Sequence, residues 1–187
     1  MNTKIQNLTS GNVAQALLRF AWPMFLANLL QSLYSLVDMV VVGRFVGSEG
    51  LAAVSNASML VFLITSVCTG LAQGGTVLVA QYEGARQKKE QAEAISTLFA
   101  LTALFAAVVT AAGLLCFHPA FLLMRVPQGA LSYADDYMAV ICGGTAFVFG
   151  YNVACAILRG LGDSKHPLYF VIAATAVNIA LDLLLVG

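Results

Sequence analysis

Five long apolar stretches, separated by short polar segments, run the length of the chain. They cover residues 17–43, 54–80, 95–117, 137–158 and 168–187. A helix rising about 1.5 Å per residue needs about 20 residues to cross the hydrocarbon core of a bilayer, and each stretch reaches that length. The pattern within them is helical. Asn28, Gln31, Ser35 and Asp38 recur at steps of three and four, so a helix carries them as one polar stripe, with Tyr34 beside it. Ser66, Thr69, Gln73 and Thr76 repeat that spacing in the second stretch. The third is almost free of polar side chains and reads as scaffold, with Ala103, Ala107 and Ala111 as its expected contact stripe. Asn152 interrupts the fourth, and Thr175, Asn178 and Asp182 share one face of the fifth. The expected fold class is all-α, a polytopic transmembrane bundle of about five spans over residues 1–187, an incomplete lobe.

The connecting segments refine this picture. Residues 1–16 are polar, with Thr9, Ser10 and Asn12 as plausible caps of a short interfacial helix. Arg44–Gly50 and the charged stretch Gln81–Glu93 read as solvated loops. His118-Pro119 is expected to end the third span, and a loop carrying Arg125, Pro127, Asp135 and Asp136 to follow it. Pro167 suits the first turn of the fifth helix. Gly70 and Gly74, and Gly143, Gly144 and Gly150, are placed to let helices approach closely.

Composition agrees with a membrane protein. Hydrophobic residues make up 60% of the chain and charged residues 10%, against about 25% charged in soluble domains; mean hydropathy is +0.86. A formal net charge of zero makes nucleic acid an unexpected partner. Cys68, Cys116, Cys142 and Cys155 lie in apolar runs without a CxxC pair and read as small core residues. His118 and His166 read as interfacial polar residues without metal-ligand spacing.

Lysine and arginine placement sets the expected orientation. With the N-terminus in the cytoplasm, Lys4, Arg19, Arg86, Lys88, Lys89, Arg159 and Lys165 lie inside, and Arg44 and Arg125 outside. At about 1.5 Å per residue, Asp38 then lies ~28 Å beyond Arg19 and Asp182 ~22 Å beyond Pro167. Both carboxylates fall in the outer half of the membrane at similar heights. A carboxylate inside a span costs about 2.5–3.5 kcal/mol, so a function is the usual reason for it. Two of them in a low-dielectric cavity would share a proton or hold a cation, with Asn178 adding a neutral carbonyl oxygen and the coupling ion being a proton or sodium. The alternative is that Asp38 merely lies near a helix end and Asp182 near a chain end. Nothing reads as an enzyme: no phosphate-cradling GxxxxGK[ST] occurs, no Ser-His-Asp set has plausible partners, and no cofactor is expected.

Several short motifs, in order, resemble one family. They are Leu8-Thr9-Ser10-Gly11 with Phe20-Ala21-Trp22-Pro23; Gln31-Ser32-Leu33-Tyr34 with Asp38; and Val42-Gly43-Arg44-Phe45-Val46-Gly47 with Leu51-Ala52-Ala53-Val54. Then follow Gln81-Tyr82-Glu83-Gly84-Ala85, Leu158-Arg159-Gly160-Leu161-Gly162-Asp163-Ser164 and Asn178-Ile179-Ala180-Leu181-Asp182. Across nearly its whole length the chain is similar to the multidrug and toxic compound extrusion family. The resemblance implies a multi-pass secondary antiporter of the bacterial inner membrane, with two six-helix lobes around a central cavity. It implies export of small, cationic, amphipathic substrates against inward proton or sodium flow. It places coupling-ion residues at Asp38, Asn178 and Asp182. Asn28, Gln31, Tyr34, Ser35, Thr69, Gln73 and Asn152 are possible cavity-lining positions. A family member has twelve spans, so this chain is expected to be an N-terminal portion whose sixth helix and C-terminal lobe lie elsewhere, with membrane lipids around it. The alternatives are a lipid-linked precursor flippase of related architecture, disfavoured because no lysine or arginine lies inside a span beyond Arg19 at the start of the first, and a non-transporting half-unit or remnant.

Overall fold

The computed structural model describes residues 13–185, without the side chains of Val13, Asp182, Leu183 and Leu185. These residues form five helices: α1 (Val13–Phe45), α2 (Gly47–Gly84), α3 (Lys88–Leu123), α4 (Gln128–Gly160) and α5 (Lys165–Leu185). Four of them are long and apolar enough to cross a membrane, and α5 is a shorter apolar helix over Lys165–Leu181. The links are one to four residues long, so successive helices run back and forth.

The first four expected spans each lie inside one helix, and these helices run on past the apolar runs into the polar segments; the fifth falls on α5 as far as the described residues reach. Their ends are set by backbone chemistry. After α3, the amide of Arg125 bonds the Leu122 carbonyl (3.1 Å) and that of Val126 the Phe121 carbonyl (3.2 Å). This is the Schellman closure, which needs a left-handed residue just past the helix. Arg125 takes that conformation with φ 55°. The end of α2 is built the same way around Arg86 (φ 59°), and that of α4 around Gly162 (φ 82°). An arginine there pays steric strain that glycine avoids, but puts a cation beside the negative end of the helix dipole.

The core lies along the seam of α2, α3 and α4. Ala53, Ala57, Phe121, Ala130, Ala134 and Met138 fill one end; Cys68, Ala106 and Phe149 fill the middle; Ala72, Val79, Leu98, Val153 and Ala156 fill the other. Small side chains dominate because lipid tails are as apolar as leucine, so close van der Waals contact must drive association. Polar bridges join the same helices. The Thr76 hydroxyl reaches the Ala156 carbonyl (3.0 Å), the Thr110 hydroxyl the Cys142 carbonyl (3.1 Å), and the buried Gln91 amide the Glu83 carboxylate (2.8 Å). Outside this trio, α1 and α5 pack against each other; α1 also touches α2, and α5 touches α4.

Several expectations need correction. Pro119 does not end α3, which continues to Leu123; fully buried Phe121 anchors the last turn despite the bond that proline removes. Asp135 and Asp136 belong to α4 rather than to a loop, and Gln81–Glu93 is helical at both ends with only residues 85–87 between. Ala103, Ala107 and Ala111 are exposed; the packed stripe is Leu98, Thr102 and Ala106. A methyl group on Gly70, Gly74, Gly143, Gly144 or Gly150 would meet no atom within 4 Å, whereas Gly75 lies under Leu98 and Gly160 against the Thr76 carbonyl. Cys68, Cys142 and Cys155 are buried as expected, but Cys116 is exposed. Both histidines have carboxylate partners: His118 with Asp135 on α4 at 2.6 Å, and His166 with Asp163. The proposed caps Thr9, Ser10 and Asn12 lie outside the described residues.

Candidate functional site

The contact between α1 and α5 brings together the two helices that carry the intramembrane aspartates. On α1, the partly buried positions include Leu30, Tyr34, Asp38 and Val41, a three-and-four stripe that forms its packed face. Asn28, Gln31 and Ser35 are exposed on the adjoining face. Asp38 therefore stands where the polar stripe meets the packed one. Ser35 donates its hydroxyl to the Gln31 carbonyl at 3.0 Å, so its polarity is largely internal to the helix.

The packed face of α5 runs through Leu168, Val171, Thr175 and Asn178. Asn178 Oδ1 and Thr175 Oγ1 are both buried and without a hydrogen-bond partner. Asp182 is one helical turn beyond Asn178 in α5, and its side chain lies outside the described residues.

Two tyrosines of α4 come within electrostatic range of α1 residues. The Tyr137 phenol is within electrostatic range of both Asp38 and Tyr34, and the Tyr151 phenol is within range of Tyr34. Sequence reading put Tyr137 only at a span boundary; the available signal was a polar-tipped aromatic inside an apolar helix. Asn152, half-buried, donates to its own helix at the Val148 carbonyl (2.8 Å). On α2, Thr69 and Gln73 are exposed, and the Thr69 hydroxyl bonds the Thr65 carbonyl (2.8 Å). Tyr34 and Asp38 thus share the partly buried stripe of α1, the helix that packs against α5, with the Tyr137 phenol within electrostatic range of both. The structure leaves Asn28, Gln31, Ser35, Thr69 and Gln73 on the open surface of the bundle. A carboxylate beside neutral oxygens in an apolar surround suits a proton or a hard cation. Among the described residues no three His, Cys, Asp or Glu side chains converge on one point.

The MatE family model matches residues 23–184, a stretch that includes every one of these positions. The chain belongs to the MatE family. Over 176 residues this MatE chain is 32% identical to the probable multidrug resistance protein YoeA of Bacillus subtilis, covering 94% of itself and 38% of that relative. It is 30% identical over 178 residues to the probable multidrug resistance protein YpnP of the same organism, covering 95% and 40%. It superposes on an outward-facing multidrug resistance MATE family transporter of the MOP superfamily with a TM-score of 0.90 and 28% identity, covering 97% of itself and 40% of that chain. The chain spans about 40% of the length of the relatives it matches.

Proposed function

We propose that this chain is the N-terminal part of a secondary antiporter that exports small cationic, amphipathic drugs in exchange for protons or sodium, with its N-terminus in the cytoplasm of a bacterial cell. One observation carries the reading. Asp38, partly buried on α1, and Asn178, whose buried Oδ1 has no hydrogen-bond partner, belong to two helices that pack against each other, which supports a shared site. An unmet acceptor in an apolar surround costs free energy, and a coupling ion would meet it. Asp38, Asn178 and Asp182 are the proposed ion-binding residues. The exposed polar positions Asn28, Gln31, Ser35, Thr69 and Gln73 then form the wall of a wet cavity whose other side is the second lobe. Names of relatives support the drug substrates. No lysine or arginine lies between residues 20 and 43, 45 and 85, or 166 and 187, which favours a cationic cargo over a phosphate-bearing one.

The test is efflux of a cationic dye by the full-length protein. Asp38→Asn and Asp182→Asn are each expected to abolish ion-driven efflux while leaving expression and membrane insertion intact. Efflux that survives both changes contradicts the proposed ion site.

A further inference from the structure

A groove of about 220 Å³ runs between α2 and α3. Its lining comes from α3 between Val109 and Ala120, from Leu60 and Leu63 of α2, and from Met138 of α4; no residue of α1 or α5 takes part. Small residues of α3, Ala112 and Gly113, leave the space. A methyl group on Gly113 would stand 2.8 Å from the Cys142 sulfur, so α4 lies close behind. Leu63 and Cys116 are exposed along the groove, which therefore opens out of the bundle.

Shape and chemistry limit what can fill it. At about 1.5 Å per residue the α3 lining is ~16 Å long, and it follows a membrane-spanning helix, so it runs along the bilayer normal. A fatty-acyl chain lies in that direction and is apolar throughout. A cationic cargo would bring its charge into a lining whose one polar side chain is the Cys116 thiol, a costly burial.

The end of α3 supplies a second contact. Arg125 stands about one and a half turns beyond Ala120. It is exposed, and among the described residues it is in no ion pair. Two carboxylates at this end of the bundle are engaged elsewhere: Asp135 with His118 at 2.6 Å, and Glu49 against Gly129 of α4. Closing α3 uses only the Arg125 backbone, in a left-handed conformation that glycine takes without strain. The guanidinium is left to meet an anion, and its fork matches a phosphate.

We propose that the α2–α3 groove and Arg125 bind one phospholipid of the leaflet facing away from the cytoplasm, an acyl chain along Val109–Ala120 and the phosphate on the Arg125 guanidinium. The inference goes beyond the antiporter reading: it uses the orientation given there, but not the ion site.

The experiment places the full-length protein in phosphatidylcholine nanodiscs with one of two photoactivatable probes, phosphatidylglycerol or uncharged diacylglycerol, each with a diazirine on one acyl chain. Crosslinked peptides are identified by mass spectrometry. In the wild type, phosphatidylglycerol is expected to mark the groove segments of α2 and α3 more strongly than diacylglycerol. Ala112→Trp fills the groove and is expected to lose most of these crosslinks, whereas Ala107→Trp, at an exposed position of the same helix, keeps them. Arg125→Gly is expected to lower the phosphatidylglycerol yield about tenfold or more, the usual effect of losing a charge-assisted hydrogen bond, and to leave the diacylglycerol yield unchanged. A merely structural role for Arg125 would move both yields together. Should Ala112→Trp fail to fold, Arg125→Gly with the two probes decides alone. Equal yields of the two probes in the wild type overturn the proposal, as do groove crosslinks unchanged in Ala112→Trp or in Arg125→Gly. Because binding rather than transport is read, efflux that survives Asp38→Asn leaves the lipid site standing, and loss of the lipid site leaves the ion site standing.

Discussion

Gly160 shows how much rests on single atoms in a bundle of small residues. A Cβ there would stand 2.8 Å from the Thr76 carbonyl oxygen and 3.1 Å from the Val79 side chain, beside the bond from the Thr76 hydroxyl to Ala156. Gly160→Ala is expected to destabilise the protein by about 1–3 kcal/mol, the usual effect of overpacking, read as a lowered melting temperature in detergent. Gly143→Ala, with nothing within 4 Å, is expected to be neutral or mildly stabilising, as glycine in a helix interior is weaker than alanine. A few residues along, Asp163 caps α5. Its Oδ1 accepts the amides of Lys165 (3.0 Å) and His166 (3.2 Å), and its Oδ2 pairs with the His166 ring. Burial pushes the Asp163 carboxyl up, but the bonds from the His166 ring and from the two amides outweigh it and hold the group below its ordinary value. A depressed folded value means that the carboxylate's contribution is complete at neutral pH and lost as pH falls through that value. Asp163→Ala is therefore expected to cost about 1 kcal/mol at neutral pH. The difference from wild type should vanish in strong acid, as followed by thermal melts across pH.

At the scale of elements, the arginines that close α2 and α3 predict a gain. A left-handed residue other than glycine is strained by about 1–2 kcal/mol. Arg125→Gly is expected to recover about 1 kcal/mol of that, less what the cation contributes at the helix terminus, and to raise the melting temperature. Gly162→Arg at the equivalent position of α4 is expected to lower it. These ends were not legible in the sequence, because a signal read from glycine and proline misses a helix closed by arginine and one that runs through Pro119. The five helices themselves were legible, because a bilayer demands apolar runs of about 20 residues and the chain has five. Which face of each helix packs was legible only in part. In water, burial separates apolar from polar positions; in lipid, both neighbours of a helix are apolar, so hydropathy says little about contact. Hence the Ala103–Ala107–Ala111 stripe proves exposed, while Thr102 is buried. Hence also Gly75 and Gly160, not Gly70 and Gly74, lie at close approaches.

For the whole molecule, the organisation is a tightly packed trio, α2–α3–α4, with the α1–α5 pair set against it. The residues of the candidate site were legible as polar interruptions at helical spacing: Asp38 on α1, and Asn178 with Asp182 on α5. That their helices are neighbours was not, since equal depth along two helices does not bring them together; the structure shows α1 packed on α5. Tyr137 was missed because no spacing along α4 shows that its phenol comes within electrostatic range of Asp38 on another helix. Under the proposed function, the trio is the frame and the pair carries the polar faces that respond to an ion. The central claim is that the coupling ion leaves the α1–α5 pair when cargo is exchanged. The measurement that tests it most directly is ion release from the purified full-length transporter when a cationic substrate is added, followed with proton- and sodium-sensitive dyes. Stoichiometric release from the wild type, abolished in Asp38→Asn, is the predicted result. Release of the same size from Asp38→Asn would contradict the account.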